Sequence, residues 1–186
     1  APESKLGGAT LYYFLRDSAE TDVQIDIIDG DARIVRTYSN DSTMAEDHKT
    51  ALLADASGTH RFTWDLMYEG PTFVDGAIIW GYTGGVKAPP GTYEVRLQVG
   101  DESMTQTIEV KEDPRIEEEI SAEDYEAQLQ LGLQLRDAIT EVHDYIGQIR
   151  SVKKQIKWLT EQSENEEINE VGPQLLEELT NYEEQL

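Results

Sequence analysis

The sequence predicts an antiparallel β-sandwich followed by an α-helical hairpin, two architectures in one chain of 186 residues. Three observations carry this. From Thr10 to Val110 apolar and polar residues alternate, and after Pro114 the apolar residues recur instead every three or four positions. With 38% of the chain apolar, there is material to fill a core.

The alternating part reads as six short strands. "TLYYFLR" (10–16), "VQIDIID" (23–29) and "ARIVRTY" (32–38) come first, the last two joined by Gly30-Asp31 as a tight hairpin. "THRFTWDL" (59–66), "GTYEVRLQV" (91–99) and "MTQTIEV" (104–110) follow. In the fifth strand Tyr93, Val95, Leu97 and Val99 share one face, and Glu94, Arg96 and Gln98 share the other, as expected of a sheet with one buried side. A seventh strand is expected around Ala77 to Trp80. Gly, Pro and Asp clusters between the runs favour an antiparallel sandwich.

Two longer connections interrupt the strands. Residues 39–57 are mostly polar, with a turn of helix expected at Ala51 to Ala54; residues 69–89, "EGPTFVDGAIIWGYTGGVKAPP", are richer in glycine and aromatics and longer than a connection requires. A recognition surface, if the sandwich has one, is expected there.

Pro114 is expected to end the last strand, and Ser121 with Asp124 forms a capping box that opens a helix over about 122–160. Leu135, Val142, Ile149 and Ile156 recur at intervals of seven, with Ile139 and Ile146 between them, which makes a helix-pairing seam. Such a helix is on the order of 58 Å long. Arg150, Lys153, Lys154 and Lys157 gather near its C-terminal end, where cations oppose the helix dipole. After a polar turn over 160–172, Pro173 is expected to begin a second helix of roughly 21 Å, with Leu175, Leu179, Tyr182 and Leu186 as its stripe. The predicted organisation is thus a sandwich over 1–112, a linker over 113–120 and an antiparallel hairpin over 121–186. The second helix is too short to cover the seam around Leu135 and Val142, so either the polypeptide continues past Leu186 or another subunit covers it.

The charge narrows the function. With 38 acidic residues against 15 basic ones, a formal −23, the chain repels phosphates and anionic lipid heads, so neither nucleic acid binding nor membrane insertion is expected. The same surface suits a high-salt habitat, where salt screens its repulsion, and it also suits an acidic protein of ordinary origin. No apolar run approaches the roughly 18 residues a bilayer span needs. The polar start "APESKLGGA" is not a signal peptide and lacks an initiator Met, which reads as a mature product or a piece of something larger.

Chemical candidates thin out quickly. Without cysteine there is no disulfide, thiolate ligand or cysteine nucleophile. His48, His60 and His143 are scattered without metal-ligand spacing, and Asp26, Asp29 and Asp31 crowd a hairpin without the order of a calcium loop, so no metal and no cofactor are expected. No G-x-S-x-G elbow or phosphate-binding glycine loop occurs, and acids are too abundant for any pair to single itself out as a glycosidase dyad. The aromatics Trp64, Tyr68, Phe73, Trp80 and Tyr82 either form a stacking platform for sugars or peptides, or fill the core and pin the long loop. Asp65 is expected to close a strand and accept hydrogen bonds from loop amides before Gly70-Pro71.

The ordered set "LYYFL", "VQIDIID-GDARIVRTYS", "HRFTWDLMYEGP", "GAIIWGYTGG", "APPGTYEVRL" and "QLQLGLQLRDAI" resembles the C-terminal part of bacterial sortilin-like proteins with BNR repeats, often labelled glycosyl hydrolase-like. The resemblance runs from about Gly8 to Leu186 and implies an immunoglobulin-like sandwich with a helical extension behind a large β-propeller. The family's activity belongs to the propeller; this chain has no S-x-D-x-G-x-x-[TW] box, so the resemblance implies no catalytic residue. It implies an extracytoplasmic setting, periplasmic or secreted, and an upstream propeller as partner. The functional expectation is a non-catalytic packing module, not an enzyme, with a homo-oligomer through the helices; the alternative is a carbohydrate- or peptide-binding module using the loop aromatics.

Overall fold

The computed structural model describes residues 7–113 and 120–186. The positions of Pro114 and of the Glu117–Glu119 run lie outside them. Six strands, β1 (Ala9–Leu15), β2 (Val23–Ile28), β3 (Ile34–Ser39), β4 (Gly58–Trp64), β5 (Gly91–Val99) and β6 (Glu102–Val110), are joined by the short helix α1 (Ser42–Asp47) and followed by α2 (Ala122–Gln162) and α3 (Glu166–Glu183). By packing, the chain divides into one unit of Ala1–Gly70 with Gly84–Gly132 and a second of Pro71–Thr83 with Leu133–Leu186. The expected linker over 113–120 lies almost wholly outside the described residues. The loop 71–83 belongs with the helices, and the first turns of α2 belong with the strands.

In the first unit all strand pairs are antiparallel, in a two-stranded sheet β1-β4 and a four-stranded sheet ordered β3-β2-β5-β6. Aromatic side chains join the two sheets: Tyr38 meets Phe62 at 5.1 Å between centroids, and Trp64 meets Tyr93 edge-on at 5.0 Å. Around them Val23, Ile25, Ile27 and Val35 are sealed from solvent. This is where the period-two alternation places its inward positions. The inner face thins toward β5 and β6, where Val95, Leu97 and Val99 are only half-buried and nearly all of the outer strand β6 is exposed.

Three expectations need correction. The hairpin between β2 and β3 turns its left-handed corner at Ala32, φ 61°, not at Gly30-Asp31. Asp29 reshapes it, its Oδ1 accepting from the amides of Asp31 and Arg33 at 2.9 Å each. The helical turn in the first long connection is α1, not Ala51 to Ala54: Asp41 caps it by accepting from the amides of Thr43 and Met44. Leu53 instead donates its amide to Ser39 O and is buried. No seventh strand forms at Ala77 to Trp80, because that run has no ladder partner.

The capping box at Ser121 is present. Asp124 Oδ2 accepts from the Ser121 amide at 2.9 Å, and Ser121 Oγ accepts from the Asp124 amide at 3.2 Å. Gly132 lets the helix approach Val86, whose Cγ2 would lie 2.6 Å from a Cβ at that position. In the second unit α2 and α3 form an antiparallel hairpin: Arg150 Nε and Lys153 Nζ both bond Glu183, at 2.7 and 3.0 Å, and Gly172 packs against Thr160. The second helix starts earlier than expected. Asn165 caps it, accepting from the Glu167 amide, with Glu166 and Glu167 in the first turn, so Pro173 lies inside α3 rather than at its start. The polar turn shrinks to 163–165.

Candidate binding site

The five candidate aromatics have different fates. Trp64 is sealed in the first unit, its indole Nε1 donating to Met67 O at 3.0 Å, and Tyr68 is buried with its hydroxyl on Asp29 Oδ2 at 2.8 Å. Neither can meet a ligand. Beside Trp64, Asp65 Oδ1 accepts from the Met67 amide at 3.0 Å, the strand-closing role its position before a loop calls for.

Phe73, Trp80 and Tyr82 belong to the loop of the second unit. Its base is fixed on α2: Thr72 donates its amide to Thr140 Oγ1 at 3.1 Å, Val74 donates its amide to His143 Nδ1 at 3.4 Å, and Phe73 meets the His143 ring edge-on at 5.0 Å. Arg150 Nη1 adds a bond to Asp75 O at 3.2 Å. Phe73 is therefore an anchor. Past the turn in which Ala77 donates to Val74 O, the loop turns outward: Trp80 is 95% exposed, Ile78 79% and Tyr82 76%. A loop that holds its base by four polar and ring contacts while presenting an aliphatic and aromatic tip has the form of a contact element.

The helices carry the second candidate surface. Of the predicted seam, Ile139, Val142, Ile146, Ile149, Ile156 and Leu179 are half-buried, whereas Leu135, Leu175 and Tyr182 are largely exposed. The sequence reading missed Leu129 and Leu133, which are buried, and a further exposed row of Leu131, Ala138, Tyr145, Val152 and Leu159. That row was legible as a second set of sevenfold intervals. Where α2 and α3 meet, Ile156, Leu159, Ile168, Val171 and Leu175 line an apolar groove of about 300 Å³.

Several ionisable groups of the first unit are bonded within it. Asp26, buried in β2, accepts from Arg96 Nη2 at 2.7 Å and from Thr37 Oγ1 at 2.9 Å, an arrangement that satisfies the buried charge. At Asp29, burial alone would raise the acid's pKa, but hydrogen bonds from the Arg33 amide, the Tyr68 hydroxyl and the Arg33 guanidinium hold it below the usual range. Burial pushes the Tyr68 phenol up, reinforced by its bond to Asp29, and lifts Tyr93 to about 12. Among the described residues no three of His, Cys, Asp and Glu converge as a metal set, and no helix is long and apolar enough to cross a membrane. No protein-family model matches the chain, and no curated protein sequence matches it.

Proposed function

We propose that this chain is a non-catalytic interaction module: an immunoglobulin-like sandwich carrying a helical hairpin that packs a larger exported β-propeller protein against its neighbours. One observation carries the reading, the loop tip of Ile78, Trp80 and Tyr82 held out to solvent on a base anchored to α2. Exposed apolar tips of this kind cost solubility unless they meet something. The polar clusters support the same view, since Asp26, Asp29 and Glu183 each spend their charge on a neighbour in the chain.

The exposure of Trp80 and Tyr82 also favours a second reading, a carbohydrate- or peptide-binding module in which these two rings stack on a ligand. Trp64, Tyr68 and Phe73 take no part in it. Glycan and peptide arrays probed with the native chain and with Trp80→Ala separate the readings: signal lost in the variant establishes the ligand-binding module, and silent arrays favour packing alone. Turnover of a glycoside or peptide substrate by the purified chain overturns both.

A further inference from the structure

Helix α2 carries two seams that share one row. Leu135, Val142, Ile149 and Ile156 form the shared row; on one side lie Ile139, Ile146, Lys153 and Thr160, and on the other Leu131, Ala138, Tyr145, Val152 and Leu159. The first side is occupied within the chain. Thr72 and Val74 bond Thr140 and His143 there, Glu183 reaches Arg150 and Lys153, and Gly172 sits on Thr160. The second side is open along most of its length: Leu131 is 69% exposed, Tyr145 48% and Val152 43%, and only the last member of the row, Leu159, also lines the groove against α3. From Leu131 to Leu159 the apolar positions follow a strict four-three spacing over about 42 Å. A repeat of seven kept this long fits another helix of similar length, not a strand or a small ligand. Among the described residues α3, with 18 residues, is too short to cover this row and meets it only at Leu159.

We propose that the second seam binds a second copy of α2, antiparallel and centred on Gly147. This names the partner of the packing module proposed above and rests on that reading. Three features of the sequence select this occupant and this register together.

First, the layers match in size. Antiparallel pairing about Gly147 sets Leu135 against Leu159 of the second copy, Ala138 against Ile156, Val142 against Val152 and Tyr145 against Ile149. The smallest residue meets an isoleucine and no layer is left hollow. Parallel pairing would set Ala138 on Ala138 and Ile156 on Ile156.

Second, charge is segregated along the helix. Asp137, Glu141 and Asp144 lie on one side of Gly147, and Arg150, Lys153 and Lys157 on the other, so antiparallel pairing sets the acidic half of each helix beside the basic half of its copy. Parallel pairing would set like charges side by side. Third, the flank beside the open row holds Gln134, Glu141, Gln148, Gln155 and Gln162, four neutral residues of five. In a chain of net charge −23, two copies can approach only along such a face.

The test is sedimentation velocity of the full chain across the micromolar range, beside Val152→Glu and single-cysteine variants in this cysteine-free chain. The native chain should dimerise. Val152→Glu, at a position exposed in the isolated fold, should keep its helical circular dichroism and melting temperature while dimerising about a hundredfold more weakly, because each dimer would bury two added charges. On mild oxidation Gln148→Cys should cross-link to its own copy across the two-fold axis, and Gln155→Cys, facing Glu141, should not. A native chain that stays monomeric, a folded Val152→Glu chain that dimerises normally, or cross-linking by Gln155→Cys alone overturns the proposal. Each leaves the non-catalytic reading standing, since that falls only on substrate turnover.

Discussion

The hydroxyl of Tyr68 donates to Asp29 Oδ2 at 2.8 Å, bridging 39 residues of sequence. Asp29 shapes the β2–β3 hairpin, and Tyr68 leads out of β4, its amide bonded to Val86 O at 2.7 Å and that of Glu69 to Val35 O at 2.9 Å. One phenol thus ties a hairpin turn to the segment that opens the long loop.

Tyr68→Phe removes that bond while keeping the ring. Hydrogen bonds to charged groups contribute about 1.5–3 kcal/mol, and Asp29 keeps its Arg33 partners, so the expected loss is about 1.5 kcal/mol with little change in urea m-value. Equilibrium urea unfolding measures it; an unchanged midpoint would remove the bridge from the stability of the fold.

The same pair contributes at both pH limits. Asp29 titrates below its ordinary 3.8 in the folded state, so its contribution is complete above that value and is lost as pH falls through the folded pKa. Tyr68 and Tyr93 titrate above their ordinary 10.0, so theirs is complete below 10.0 and is lost as pH rises through the folded values. Melting temperature plotted against pH should be flat between these limits and fall at both ends. The alkaline fall should be shallower in Tyr68→Phe, and identical slopes would count against the assignment.

Asp26→Ala leaves Arg96 and Thr37 facing an empty position inside the sheet. Arg96 keeps partial access to water, which places the cost nearer about 2–3 kcal/mol than the larger penalty of a fully enclosed pair. Thermal unfolding monitored by near-ultraviolet circular dichroism of the aromatic cluster gives the value; a loss below about 0.5 kcal/mol would mean that the pair roughly cancels its own desolvation.

Gly172→Ala drives a methyl group into Thr160 across the helical hairpin. The hairpin should loosen by about 1–3 kcal/mol, as overpacked contacts do. Adding Thr160→Ala should restore most of it. If the double variant is no better than the single one, the loss comes from the backbone of α3 and not from the contact.

The strands were readable because a half-buried sheet writes period two directly into its side chains, and Trp64 with Asp65 announced both a core ring and a strand end. The opening of α2 was equally plain in Ser121 and Asp124. Pro173 misled because a proline inside a helix is normally excluded, whereas Asn165 with two glutamates starts the helix two turns earlier. Ala77 to Trp80 looked like a strand because apolar content alone does not supply a ladder partner. Trp80 could have been core or platform on sequence, since burial of a loop ring depends on where its base is fastened, here on Thr140 and His143 some seventy positions away. The second seam of α2 escaped for a different reason. One heptad pattern satisfied the expectation of pairing, and its shared row hid the other.

Among the described residues strand β6 closes one side of the four-stranded sheet with nine residues, paired only to β5 and open along its outer rim. Its amides and carbonyls there are a template on which another extended segment can be laid, and Glu102 and Glu109 are the acids it carries against that event. Much of the safeguard is therefore the mutual repulsion of whole molecules, which dissolved ions weaken. In strong brine the chain trades this ionic guard for the geometry of its rim, and fibril growth by stacking at β6 becomes the failure to watch for in storage.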